Sequence, residues 1–222
     1  MDGNRRYGRE RFSDPVKGHG EGGRALSNVS QWCLEKGIKH LTVYAFSTEN
    51  WRRDPSEISA LMHLFTDYAH RMKKEALNSN IQIRVLSTDT SRLPPHVQAA
   101  MTDLESSTTS CTSLILNLCV SYGSRGEIAH ACQQLARNVA AGTLHPDQID
   151  EAAISRSLLT SHSPDPDLLL RTSGECRLSN FLLFQLAYAE MVFLDKYWPE
   201  VTARDLDGIL HEYIKRERRF GC

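Results

Sequence analysis

Paired cysteines are missing from this sequence. None of the six (Cys33, Cys111, Cys119, Cys132, Cys176 and Cys222) stands in a CxxC pair, and none of the nine histidines falls at zinc-ligand spacing. That argues against a structural zinc and a dithiol redox motif, and the thiols read as small core residues of a reduced, cytosolic protein. No apolar run reaches the roughly 20 residues that cross a bilayer, and no signal peptide is visible, so any membrane contact is expected to be peripheral. Positive charge is not in surplus either. Lys and Arg total 26 against 27 Asp and Glu, a net charge of −1, so no nucleic-acid partner is expected and any anion site must be local. Repeats and low-complexity linkers are also lacking. A length of 222 residues suits one α/β domain with a real core.

What is present is a regular alternation of apolar patterns. Apolar residues at 25, 29, 32 and 33 fall at helical spacing and Gly37 supplies the stop, after which "IKHLTVYAF" (38–46) reads as a buried strand. A helix over 56–77, a strand over 81–87 and a helix from Pro94-Pro95 to Leu104 follow. "SLILNLCVSY" (113–122) is apolar almost throughout, as a strand covered on both faces is. Helices near 126–141 and 150–159, a strand at 166–172, a helix near 180–187, a strand at 189–194 and a basic helix at 203–218 complete the pattern. The expected architecture is a single α/β domain spanning residues 1–222, with a mainly parallel central sheet and helices on both faces.

Ligands of such sheets gather at the carboxyl ends of the strands. There the sequence carries "STENWRR", "GSRGE" and "SGECRLSN", each placing Arg beside Ser, Gly or Asn. Arg offers a planar fork that matches phosphate oxygens, and backbone amides at helix starts add partial positive charge. Joined by Asp2-Gly3-Asn4-Arg5-Arg6, these loops predict a polyanion site. Asp2 and Glu190 are the acidic candidates for a hard cation such as Mg²⁺, which takes one or two carboxylates and completes its shell with substrate phosphates and water. "GHGEGG" (18–23) formally matches GxGxxG, but it follows "SDPVK" and no strand, which disfavours a dinucleotide-binding oxidoreductase. Its glycines are instead expected to let a helix start approach a phosphate, with His19 at its mouth.

"MDGNRR", "YAFSTENWRR" (44–53), "LNLCVSYGSRGEI" (116–128), "PDPDLLLRTSGECRLSNFLLFQLAYAE" (164–190) and the closing "RRFG" (218–221) together resemble the cis-prenyltransferases, which include undecaprenyl and dehydrodolichyl diphosphate synthases. No DDxxD motif occurs, unlike in trans-prenyltransferases. The resemblance implies that an allylic diphosphate such as farnesyl diphosphate is lengthened by isopentenyl diphosphate, with Mg²⁺ required and a hydrophobic tunnel holding the tail. It implies that Asp2 is the metal-linked catalytic residue, assisted by Glu190. Gly3, Asn4, Arg5 and Arg6 would cradle the allylic diphosphate, with His19 touching it and aiding proton traffic. Ser47, Asn50, Trp51 and Arg53 would belong to a mobile segment over the substrates, with Asn50 near the condensing centre. Arg171, Arg177 and Ser179 would bind isopentenyl diphosphate. Arg219 and Gly221, flanking Phe220, would reach the partner subunit of a homodimer.

The match has departures. Pro15 stands where a basic residue is common, with Lys17 the nearest substitute, and Ser121 and Phe184 differ from the bacterial pattern. Family members carry a hydrophobic strand directly before the DGN motif, so the expectation is a start upstream of Met1 or a shortened form, with the α-amino charge competing with the metal beside Asp2. The tunnel is expected to be lined by Leu61, Leu64 and Phe65 with Ala45 opposite. The 15 residues between Phe65 and Ile81 predict medium- to long-chain products, nearer undecaprenyl than dolichyl length. The rival reading is a non-catalytic partner subunit of a heteromeric enzyme, but this chain keeps the aspartate and the substrate arginines that such subunits lose.

Overall fold

Helix precedes any strand in the computed structural model, which describes residues 1–216. The expected roles of Arg219 and Gly221 therefore lie outside the described residues. Gly3 takes the left-handed conformation (φ 96°), open to glycine without steric cost, and caps α1 (Asn4–Phe12). The carboxylate of Asp14 accepts from the Val16 N–H at 2.9 Å and caps α2 (Pro15–Glu35), whose first position is Pro15. The stretch "GHGEGG" thus lies inside α2 and not at its start, which corrects the expected role of its glycines. Gly18 and Gly22 bring α1 and α2 together: a Cβ on Gly18 would stand 1.9 Å from the Asn4 carbonyl oxygen and 2.8 Å from the Gly8 nitrogen, and one on Gly22 would stand 2.5 Å from Asn4 Oδ1.

The chain continues through β1 (His40–Ser47), a 3₁₀ turn (Thr48–Arg52), α3 (Pro55–Asn78), β2 (Ile81–Leu86), α4 (Pro95–Thr108) and β3 (Leu114–Tyr122). After these come α5 (Ser124–Ala140), α6 (Glu151–Ser157), β4 (Leu168–Thr172), β5 (Glu190–Leu194) and α7 (Ala203–Ile214). The helix expected near 180–187 does not form. Asn180 and Leu182 have positive φ (65° and 42°), which no right-handed helix accommodates. The segment instead buries Phe181, Leu182 and Leu186 against Tyr44 and Tyr122.

Every strand pairing is parallel, as expected, but the sheet comes in two pieces: β1-β3-β2 and β4-β5. β3 is buried along almost its whole length, which explains its continuous apolar run. One of its faces packs with α2, α3 and α4 through Leu26, Val29, Leu61, Met62, Met72 and Leu104. The other meets the Phe181–Leu186 segment. Between the pieces, residues 38–45 and 164–171 line one cavity of about 830 Å³. Among the described residues, β1 and β4 each pair on one side only, so their edges look into this gap.

Candidate active site

The polar mouth of the cavity is built by α1 and by the segments that follow β1 and β4. α1 presents Gly3, Asn4, Arg5, Arg6 and Arg9 to it. The first N–H groups of a helix have no acceptor within it, so this end attracts negative charge. Arg5 pairs with Glu57 at 2.7 Å, and Arg53 reaches the other carboxylate oxygen of Glu57 at 3.4 Å. One acidic side chain on α3 therefore holds two guanidinium groups at the mouth. His19 enters from α2. Burial, with the charges of Arg53 and Arg5, pushes its pKa down to about 4, so the ring is neutral at physiological pH. Asn4 Oδ1, Arg5 Nε and His19 Nε2 are buried without a hydrogen-bond partner among the described residues. Buried polar atoms are nearly always satisfied, so three orphans at one mouth mark a place for a polar ligand.

Asp2 sits opposite, at the carboxyl end of β4. Its N–H donates to Thr172 Oγ1 at 2.9 Å, and that hydroxyl donates to the Asp2 carbonyl at 2.8 Å. Its carboxylate accepts from the Gly3 N–H at 2.8 Å and from Arg171 at 2.9 Å. Burial alone would raise the Asp2 pKa, but Arg171 and the Gly3 amide outweigh it and hold the carboxyl below its usual range. Arg171 also donates to Ser179 Oγ at 2.9 Å and to the Arg177 carbonyl. Arg6 donates to Ser173 Oγ at 2.7 Å and lies over the Tyr197 ring. Burial lowers the pKa of the Met1 α-amino group to about 6.

Residues 1–221 match the prenyltransferase family described as undecaprenyl diphosphate synthase. The chain belongs to this family. A ditrans,polycis-undecaprenyl-diphosphate synthase, (2E,6E)-farnesyl-diphosphate specific, from Xanthomonas axonopodis pv. citri is 44% identical over 221 residues, covering 100% of this chain and 86% of the relative. A geranylgeranyl-diphosphate-specific tritrans,polycis-undecaprenyl-diphosphate synthase from Thermococcus kodakarensis is 43% identical over 223 residues, covering 100% of this chain and 84% of the relative. Among solved structures, lavandulyl diphosphate synthase from Lavandula x intermedia in complex with dimethylallyl diphosphate superposes with a TM-score of 0.95. Its sequence identity is 35%, and the match covers 100% of this chain and 95% of that one.

In this prenyltransferase Asp2, Gly3, Asn4, Arg5, Arg6, His19, Ala45, Ser47, Asn50, Arg53, Arg171, Arg177 and Ser179 all line the one cavity. Other expected residues do not. Trp51 turns away from it, donating to Ser121 Oγ at 2.9 Å and packing edge-on to Phe46. The side chain at 121 that departs from the bacterial pattern thus anchors the indole. Glu190 pairs with Leu168 at the start of β4, whereas Asp2 binds Thr172 at its end. Four parallel residues separate them by roughly 13 Å. Glu190 is ion-paired to Arg216 at 2.6 Å.

The α3 residues expected to line a tunnel are not on the wall of this cavity. Leu61 is 1% exposed and, with Leu64 and Phe65, packs in the core behind the three-stranded sheet, outside the walls of the main cavity. A second cavity of about 270 Å³ lies farther along, bounded by Leu26, Ser30, Met72, Ala76, Ile83 and Leu116. Lys17 is exposed and away from the mouth, and Arg9 takes the basic position in its place. Arg9 and Glu57 went unread in the sequence. Their signal was the four-residue spacing from Arg5 and Arg53, one helical turn on.

Proposed function

We propose that this prenyltransferase joins isopentenyl diphosphate to an allylic diphosphate such as farnesyl diphosphate, building a cis-polyprenyl diphosphate. The observation that carries this reading is a single cavity with two sets of arginines at its mouth and apolar walls below. Arg5, Arg9 and Arg53 stand on one side and Arg171 and Arg177 on the other, with Arg6 reaching across from α1 to Ser173 and Glu175. Two diphosphates brought together need two such sets, and a prenyl tail needs the apolar wall. In the reaction, the allylic C1–O bond breaks and its electron pair leaves with the diphosphate. The isopentenyl double bond supplies the new C–C bond through C4, and a proton is lost from C2.

The chain's own groups are suited to these events. The guanidinium groups and the amides of the first turn of α1 stabilise the charge that grows on the departing diphosphate. His19, kept neutral, is free to donate a hydrogen bond or accept a proton. Asp2 fixes Arg171, and Arg171 in turn fixes Ser179. Mg²⁺ fits this donor set: Asp2 offers a carboxylate and Asn4 an unsatisfied buried oxygen, while diphosphate oxygens and water supply the rest. When bound, it would add positive charge against the leaving group. Among the described residues no group of three His, Cys, Asp or Glu side chains is placed to hold a metal, in keeping with an ion held largely by substrate.

A homodimer is supported by Tyr188, Met191 and Phe193, exposed at 72%, 38% and 39% around β5. No helix of the described residues is long and apolar enough to cross a membrane, so membrane contact would come through the lipid product. Product length is read as medium to long, nearer undecaprenyl than dolichyl. The test is incubation of the purified chain with farnesyl diphosphate, labelled isopentenyl diphosphate and Mg²⁺, followed by product sizing. Incorporation only after a second protein is added would favour the partner-subunit reading, and no incorporation at all would sink the proposal.

A further inference from the structure

Three segments meet at the mouth: the turn after β1, the start of α5 after β3, and the loop after β4. One residue that does not itself line the cavity ties all three together. Asn180 has a left-handed backbone (φ 65°), a conformation that Asn and Asp tolerate. Its carbonyl oxygen accepts from the Ser124 N–H at 2.8 Å, and its side-chain Oδ1 accepts from the Arg125 N–H at 2.8 Å. Its Nδ2 donates to Glu49 Oε1 at 2.9 Å, in the turn that carries Asn50. The preceding residue, Ser179, holds Arg171.

Neighbouring groups support this clamp from both sides. A Cβ on Gly123 would stand 2.7 Å from Asn180 Nδ2 and 2.7 Å from Thr48 Oγ1, so any larger residue there would push Asn180 or Thr48 aside. Burial would raise the Glu49 pKa, but the Asn180 amide, with the residue's own backbone and the Ser47 and Thr48 hydroxyls, brings it below its usual range. The carboxylate is therefore ionised and committed to Asn180. An unbroken line runs from the Arg171 guanidinium through Ser179, Asn180 and Glu49 to the turn bearing Asn50.

We propose that Asn180 is a positioning residue: its amide, donating to Glu49, sets the distance between the Arg171–Ser179 diphosphate loop and the turn that carries Asn50. The effect on turnover rests on the condensation reading above, whereas the effect on anion binding does not. Asn180→Asp keeps the acceptor for the Arg125 N–H and the tolerated backbone, but faces Glu49 with a second carboxylate. Glu49→Gln alone keeps an oxygen that accepts from Asn180. The double variant restores a donor–acceptor pair with the roles exchanged.

The experiment measures kcat/KM for isopentenyl diphosphate from pH 5.5 to 8.5, the melting temperature, and calorimetric binding of inorganic pyrophosphate, for the wild type and the three variants. Asn180→Asp is expected to lose about tenfold or more at pH 8 in both kcat/KM and pyrophosphate affinity. The loss should shrink at acid pH, where one carboxyl of the pair protonates and becomes a donor. Glu49→Gln should stay within about twofold of wild type, and the double variant should recover most of the loss. Asn180→Asp activity and affinity equal to wild type would overturn the proposal. So would a loss that is independent of pH and unrescued by Glu49→Gln, which would mark Asn180 as a folding residue only. A wild type that binds pyrophosphate without condensing substrates would sink the reaction reading alone, and the pyrophosphate series would then decide the role of Asn180.

Discussion

The two sides of the mouth hold their arginines in different ways. On the α1 side, Arg5 and Arg53 share Glu57, which is only 12% exposed, and the helices beneath are fixed by the close approach of Gly8 and Gly18. On the β4 side, Arg177 is 62% exposed and rides a loop whose Ser173, Gly174, Ser179 and Asn180 all have positive φ. The first side is rigid because helix packing over-determines it. The second is ordered by hydrogen bonds across segments, chiefly those of Arg171, Ser179 and Asn180. A helix-built subsite suits a substrate whose product stays bound through successive additions. A loop-built one suits a substrate that must enter afresh each time.

The sharpest way to break this contrast is at Asp2, which touches both sides. Asp2→Ala should lower kcat/KM by about 10³-fold with little change in melting temperature, because a charged contact is lost and no packing is removed. Activity within a few-fold of wild type would take Asp2 out of the mechanism. The helix-built side should show itself next in acid stability. The His19 pKa is about 4 in the fold against 6.5 when unperturbed, so below 6.5 the unfolded chain takes up a proton that the native ring refuses. Stability should therefore fall as pH drops from 6.5 towards 4, by about 3 kcal/mol from this residue. In urea titrations at pH 7.5 and 4.5, His19→Gln should lose less than the wild type over the same interval. An equal loss would mean that the ring titrates normally.

A smaller effect should separate the two sides by substrate. Arg177→Ala should raise KM for isopentenyl diphosphate by about 10- to 100-fold and leave KM for the allylic substrate nearly unchanged, as loss of a charge-assisted contact implies. Glu57→Gln should do the reverse by about tenfold, since it loosens Arg5 and Arg53 together. Equal effects on both substrates from either variant would dissolve the division. The smallest effect is expected at Ala45, at the irregularity of β1 between Tyr44 and Phe46, where the backbone meets the cavity. Ala45→Leu narrows the wall and should shorten the mean product by about one or two isoprene units on chromatography. An unchanged distribution would place the growing tail elsewhere, with the 270 Å³ space beside Met72 and Ala76 as the next candidate.

Periodicity and residue chemistry, both local, were enough to read most of the strands and helices, the parallel arrangement, and the arginine-bearing segments that line one cavity. The continuous apolar run of 114–122 marks a strand buried on both faces because nothing polar can stand there without a partner. Arg, Ser and Asn after strands mark phosphate contacts because few other residue types offer those donors. What depends on register and close approach was not legible. Tertiary packing turned the DGNRR stretch into the start of a helix and put Gly18 and Gly22 of "GHGEGG" at a helix crossing, since their need for space arises only when α1 lies against α2. Parallel pairing of β4 with β5 carried Glu190 to the far end from Asp2, and left-handed residues broke the apolar run after Ser179 that reads as a helix. The sequence alone determined which groups could bind diphosphate. The fold decided which of them face one cavity and how far apart they are held, because those distances are set by contacts between residues more than a hundred positions apart, such as Asn180 and Glu49.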